Sequence, residues 1–399
     1  MKTELQKMSV HDRVDAIFNG TKPDRIPFVD RLEIWYRCHS RAGTIPPDYQ
    51  NMSLTEIHQA VGLGQEVYLV PYALKMRGVE VIARFNDQTI FREHEPVMEF
   101  FCGISEMASY EKAGVTEIEL ITPVGKLRAL HELLSENITS GTEPYLKEHL
   151  IKDEADFKTV EYIIERQEFV PRFEKVAKEE ERLDGIGYVI PMTPRVPFQQ
   201  VLLEYLGEVP LFYALHDNPD KVKRLMHVLD IQLTEILHRF ADLYFPYVEF
   251  PDNLHGLMTN PRLFTEYSLP YYQRYCEILH AQGKKVGSHT DGNVKPLLSL
   301  LAKSGLDVCE SFSPAPLTQC TFEEAWNEWQ EGPIIWGGIP SPILEDRTSE
   351  TEFVQYVQNI LDLVGDRPII LGVGDMVMGH NSIERVAYIV DQVENRPLF

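Results

Sequence analysis

Apolar runs of strand length alternate with longer amphipathic stretches through most of this chain. The strand-length runs are Ile26–Tyr36, Glu66–Pro71, Gly185–Met192, Tyr247–Pro251, Lys285–His289, Asp307–Phe312, Pro333–Ile339 and Pro368–Val373. Between the later runs the apolar positions recur at helical spacing. Asn218-Pro219-Asp220 predicts the start of a helix reaching about Leu243, and Asn260-Pro261 the start of another reaching about Gln282. The run Val294, Leu297, Leu298, Leu300 and Leu301 predicts a helix between two strands, and a last helix is predicted from about Ser382. Eight strands alternating with helices define an α/β chain and predict a single (β/α)8 TIM-like barrel over residues 1–399.

The pattern changes between about 79 and 150. Short alternating segments, GVEVIARF, DQTIFREH, TEIELIT and GKLRALHEL, predict a small antiparallel β insertion after the second strand. Residues 151–183 are charged and helical in pattern, with Glu179, Glu180 and Glu181 reading as a solvated helix end.

Composition narrows the partners. The 399 residues carry 38 basic and 61 acidic side chains, a formal net charge of −23. That balance argues against nucleic acid or an anionic membrane as the main partner. The five cysteines (Cys38, Cys102, Cys276, Cys309 and Cys320) are odd in number and irregularly spaced, so a reducing cytoplasm is expected rather than a disulfide framework. The segment MKTELQKMSVHDRVDAIFNG is amphipathic and lacks the apolar core of a signal peptide, and no run of about 18 apolar residues predicts a membrane span.

Ligands in such units bind at the carboxyl ends of the strands. There the sequence places Arg31, Glu33 and Arg37 on the first strand, Pro71 and Tyr72 on the second, and Met192, Thr193 and Arg195 on the third. The fourth supplies Glu249, Asp252, Asn253 and His255, the fifth His289 and Asp291, the sixth Glu310 and the eighth Asp375. Singly, each has a plainer reading: Asp252-Asn253 and Asp291-Gly292 suit turns, Asp375 suits a helix cap, and a lone His is usually structural. Jointly they point to a divalent metal, most readily zinc, which takes imidazole and carboxylate ligands. Glu249, His289 and Glu310 close three consecutive strands and are the expected ligands, with Asp291 and Asp375 as alternates. Arg31, Tyr72 and Arg195 are the expected substrate-binding residues. GxxxxGK[ST], GxSxG and HExxH are absent, and Gly372-Val373-Gly374 is too short for a phosphate loop.

Four blocks together resemble the uroporphyrinogen decarboxylase-like superfamily, which includes the decarboxylase and the cobalamin-dependent methyltransferases. They are DRVDAIFNGTKPDRIPFV (12–29), TPVGKLRALHEL (122–133), NPRLFTEYSLPYYQRYCEIL (260–279) and HTDGNVKPLL (289–298). The resemblance implies a TIM-like barrel. Departures separate the branches. DRLEIWYRCHSRAG lacks the decarboxylase's arginine-rich pattern, and VYLVPYALKMRG lacks the acid that the decarboxylase sets against its pyrroles. In thiol-directed methyltransferases a His-x-Cys pair and a later Cys bind zinc. Here His289 matches the His, Asp291 stands for the first Cys, and the second falls near Asp375 in GVGDMVMG.

The resemblance therefore implies a metal-dependent methyltransferase of the O-demethylase type. Its donor would be a small methylated molecule such as a methoxylated aromatic, and its acceptor a cobalamin-type corrinoid carried by a partner protein. Asp252, Asn253 and His255 would orient the donor or protonate its leaving oxygen. The runner-up expectation is a uroporphyrinogen decarboxylase-like lyase acting on a small carboxylic acid without metal, with Arg31, Arg37 and Arg195 binding carboxylate. A non-catalytic binding protein on the same barrel is the third.

Overall fold

The computed structural model describes residues 7–396 apart from 102, 103, 106 and 108–110. Cys102 and the first six residues of the amphipathic amino-terminal segment therefore lie outside the described residues.

Eight strands run parallel in chain order: β1 (Val29–Asp30), β2 (Gly64–Leu69), β3 (Gly187–Pro191), β4 (Tyr247–Phe250), β5 (Lys285–His289), β6 (Val308–Phe312), β7 (Ile334–Pro340) and β8 (Ile370–Gly374). The ladders join β1–β2–β3 and β4–β5–β6–β7–β8. Single parallel bridges, Met192 with Glu249 and Phe28 with Leu371, link the two groups at both seams. Thr193 N donates to Glu249 O at 2.8 Å at one seam, and Leu371 N to Pro27 O at 2.9 Å at the other. Every residue of β3, β4, β6 and β8 is buried, as parallel strands covered on both faces require.

The amino-terminal end of the ring is plugged. Helix α1 (Val10–Phe18) starts at Ser9, whose side chain accepts from Asp12 N in a reciprocal capping box. It delivers Phe18 onto Tyr247, with ring centroids 4.9 Å apart, and Tyr188 and Trp336 pack around the pair. The opposite end, where the strands finish, is left to polar groups.

Between β2 and β3 the chain forms antiparallel structure. Strands Glu80–Phe85, Gln88–His94, Gly114–Thr122, Gly125–Leu133 and Tyr145–Glu148 make one sheet. Tyr72–Met76, Val97–Met98 and Gln167–Pro171 make a second. In Gly125–Leu133 alternate residues Leu127, Ala129, His131 and Leu133 are buried, the two-residue period of a half-covered strand. This face joins Phe157 and Val160 of α2 (Glu154–Ile164) and Leu225 and Leu229 of α3 (Pro219–Arg239) in an apolar cluster separate from that of the ring.

Three sequence expectations need correction. The first strand is only Val29–Asp30, and Glu33–Ala42 is a helix ending at Gly43 with φ 66°. Leu32 and Trp35 are buried at helical spacing, so the run Ile34-Trp35-Tyr36 that reads as strand is one face of a helix. Glu33 and Arg37 thus sit on that helix. The helix from Asn260 is two, Pro261–Tyr267 and Leu269–His280, because Pro270 has no N–H to continue the first. The helix expected after β5 is present as the turn Lys295–Leu297 running into Leu298–Leu301, with Pro296 in its first turn, where a missing N–H is tolerated. Finally, strand Gln167–Pro171 interrupts the charged helical stretch 151–183.

Candidate active site

β5 and β6 end side by side, with His289 and Glu310 as ladder partners. Their side chains meet, Nδ1 to Oε2 at 2.6 Å. Tyr68, near the end of β2, donates its hydroxyl to the same Oε2 at 2.8 Å. The Arg31 guanidinium lies over the Tyr68 ring at 4.2 Å and reaches Asp375 O at 2.9 Å and Glu66 Oε1 at 3.6 Å. On the other side of the imidazole, Nε2 is 3.8 Å from Asp291 Oδ2.

Carboxyl groups outnumber cations here. Asp30, Glu66, Glu249 and Glu310 are buried around Arg31 and His289, with Asp291 and Asp375 nearer the surface. Burial pushes Glu66 and Glu249 well above the usual carboxylate range, and the neighbouring Glu310 adds to both. Burial likewise raises Asp30, against hydrogen bonds from Arg31 N and Val373 N. Burial opposes charge on Glu310 too, but His289, Arg31 and the Tyr68 hydroxyl together hold its pKa below the ordinary value. His289 is the mirror case: burial disfavours the imidazolium, Glu310 and Asp291 outweigh it, and the pKa rises.

Two groups could hold a metal, since their ligand atoms lie within 4.8 Å of one another: Glu249, His289 and Glu310, and His289, Asp291 and Asp375. They share the imidazole and differ in access. A cleft of about 320 Å³ is lined by Arg31, Tyr68, Asn253, His289 and Asp375, among others, but not by Glu249 or Glu310. Glu249 accepts from Tyr247 at 2.6 Å through Oε2, while its Oε1 is buried without a hydrogen-bond partner.

The structure distributes the other sequence-predicted residues unevenly. Arg31, Arg37, Arg195 and Asn253 line the cleft. Arg195 pairs with Glu204 at 3.1 Å and with Asn253 Oδ1 at 3.1 Å, and Asn253 Nδ2 donates to Asp291 Oδ2 at 3.2 Å. Tyr72 lies outside the cleft, stacked on Phe169. The Asp252 carboxylate faces inward, accepting from Val196 N at 2.9 Å and from the Tyr272 hydroxyl, and burial raises its pKa to about 6. His255 accepts from Leu257 N at 3.2 Å in the following turn.

Sequence reasoning passed over Asp30, Glu66 and Tyr68. The signal for the last two was Glu66 and Tyr68 at i and i+2 inside the apolar run of β2. Asn253, Ser311 and Asp375 all have positive φ, 47°, 56° and 67°. Such backbone costs energy in non-glycine residues and gathers where a site over-determines it.

Residues 209–396 match the family model of uroporphyrinogen decarboxylase (URO-D). That match covers a little under half of the chain, the part that carries β4 to β8. The fold of a methyltransferase from Methanosarcina mazei superposes with a TM-score of 0.56 at 11% identity, covering 97% of this chain and 98% of that one. An octameric ribulose-1,5-bisphosphate carboxylase/oxygenase from Pyrococcus horikoshii OT3 overlaps 59% of this chain and 47% of its own at 10% identity, with a TM-score of 0.28. No curated protein matches the chain in sequence. Among the described residues no helix is long and apolar enough to cross a membrane.

Proposed function

We propose that this chain is a metal-dependent methyltransferase built on one TIM-like barrel, with the antiparallel structure between β2 and β3 as an insertion. It moves a methyl group from a small donor, such as a methoxylated aromatic, to a corrinoid brought by a partner protein. The observation that carries this reading is the position of His289, with a carboxylate at each ring nitrogen and one side facing the cleft. The URO-D match and the Methanosarcina mazei fold likeness support the choice of class.

The donor set fits a divalent ion of zinc type. The buried carboxylates around His289 exceed the cations, and the partnerless Glu249 Oε1 counts for a set that includes Glu249. We place the ion at Asp291, His289 Nε2 and Asp375. A catalytic metal needs an open position, and the cleft reaches His289 and Asp375 but not Asp291, Glu249 or Glu310. Glu310 then holds Nδ1–H, the carboxylate–histidine arrangement that fixes the tautomer and raises ligand basicity. Glu249, His289 and Glu310 remain the rival set.

When bound, the ion acts as a Lewis acid on the donor's leaving oxygen. A reduced corrinoid on the partner would supply the acceptor for the methyl group, and the donor's oxygen would keep the electron pair of the broken bond. Arg31 keeps Asp375 and Tyr68 in place, and the Asn253 amide, held by Arg195 and Asp291, orients the donor. Asp252 positions the loop that presents Asn253 through its bond to Val196 N. The test is demethylation of a methoxylated aromatic by zinc-loaded protein with a reduced corrinoid acceptor. Release of CO₂ from a small acid with no metal present would favour the lyase reading instead, to which the guanidinium groups of Arg31, Arg37 and Arg195 in the cleft are also suited.

A further inference from the structure

A second cavity of about 120 Å³ lies beside the cleft. Leu120 and Leu127 of the antiparallel sheet and Val160 and Ile163 of α2 are among its apolar lining, and Arg195 and Glu204 are among its polar lining, with Gln167, Gln200 and Gln232. Arg195 and Pro251 line both this cavity and the cleft, so the two spaces share a wall. Glu204 lies on a π-helical turn, Val201–Leu206. Such turns insert an extra residue into the helix and recur at functional sites. Burial pushes the Glu204 carboxyl up to about 7, so near neutral pH it can donate as well as accept a hydrogen bond. Arg195 Nε donates to Glu204 Oε1 at 3.1 Å, so the buried carboxyl is already paired at that wall. Apolar cavities of the order of 150 Å³ take up benzene, so this one is sized for a single ring.

We infer that this cavity receives the ring of a small, neutral aromatic molecule whose one polar substituent meets Arg195 and Glu204 at the shared wall. The inference rests on the cleft being the place of methyl transfer, and it names the donor class as single-ring aryl ethers without charge. The chain from Arg195 through Asn253 to Asp291 connects that wall to the proposed metal ligands.

The experiment titrates metal-free, full-length protein with methoxybenzene by calorimetry, with benzoate as the charged control. Methoxybenzene should bind, benzoate should bind at least tenfold more weakly, and Val160→Phe and Leu127→Phe, which fill the cavity, should each weaken methoxybenzene at least tenfold. If the filled variants do not fold, Leu127→Ala should take up 1-methoxynaphthalene, which the wild type refuses. Absence of methoxybenzene binding to the wild type overturns the inference. So does unchanged affinity in the filled variants, refusal of the naphthalene by Leu127→Ala, or equal binding of benzoate. Binding that passes these tests with no demethylation in the metal-loaded assay would fault the proposed reaction and leave the cavity assignment standing.

Discussion

His289 and Glu310 are ladder partners on adjacent parallel strands, and their side chains close to 2.6 Å at the strand ends. Ladder register thus fixes which imidazole nitrogen faces the barrel interior and which faces the cleft. A register slip would break the pair, because a one-residue shift sends each side chain to the opposite face.

Metal content should follow that orientation. His289→Ala should bind well below one zinc per chain by elemental analysis after dialysis. Asp375→Ala should lose metal comparably, whereas Glu249→Gln should retain it, because Glu249 is not one of the proposed ligands. Full loss in Glu249→Gln together with retention in Asp375→Ala would move the ion to the buried set.

Tyr68 links three site groups at once. Phe at this position keeps the ring beneath Arg31 but deletes the hydroxyl that bonds Glu310 at 2.8 Å. Loss of a hydrogen bond to a charged group should cost roughly 1.5–3 kcal/mol in guanidinium unfolding. Turnover should fall while KM for the donor holds, because His289 is misoriented but the donor's contacts remain. A Tyr68→Phe variant with wild-type stability and turnover would remove Tyr68 from the site.

Asp252 and Asn253 are neighbours with opposite assignments. Asp252→Ala leaves Val196 N–H buried without its acceptor, while the Tyr272 hydroxyl keeps Ser288 Oγ at 3.2 Å, so the change should cost about 1–3 kcal/mol. Asn253→Gly suits the positive φ of 47° and removes only the amide. It should hold stability and lose activity by roughly tenfold or more, as donor misplacement does. The reverse pattern, a stable but inactive Asp252→Ala, would return Asp252 to the chemistry.

Much of this arrangement was legible in the sequence, and the failures have physical causes. β4 to β8 are near-continuous apolar runs ending in polar groups, so strand, burial and site coincide in His289 and Glu310. The first strand was overdrawn because aromatic and β-branched residues suit a buried helix face as well as a strand, as Ile34-Trp35-Tyr36 shows. Asp30 and Glu66 escaped notice because an acid inside a short apolar run looks like a strand edge. Only the closed ring, which sets β1 beside β8, brings Asp30 against Val373 N. Asp252 and His255 lie next to site residues in sequence, but the turn after β4 directs them away from the cleft.

Stability should fall with acid through a histidine far from this chemistry. His58 is fully buried, its Nδ1 lies 3.2 Å from Leu63 O, and its Nε2 has no partner. Burial lowers its pKa to about 4, whereas the unfolded chain titrates near 6.5. Above pH 6.5 neither state binds the proton and the term is absent. Between 6.5 and 4 the unfolded chain binds a proton that the folded chain resists, so stability declines as pH falls, and below 4 the decline stops. Integrating that window gives about 2 kcal/mol lost at pH 5 relative to pH 7. His131, also lowered to about 4 by burial, acts in the same direction. Urea unfolding at pH 7 and pH 5 should therefore show a difference that shrinks by about 2 kcal/mol in His58→Gln, which cannot titrate. An identical pH difference in wild type and variant would mean that His58 takes up its proton equally in both states.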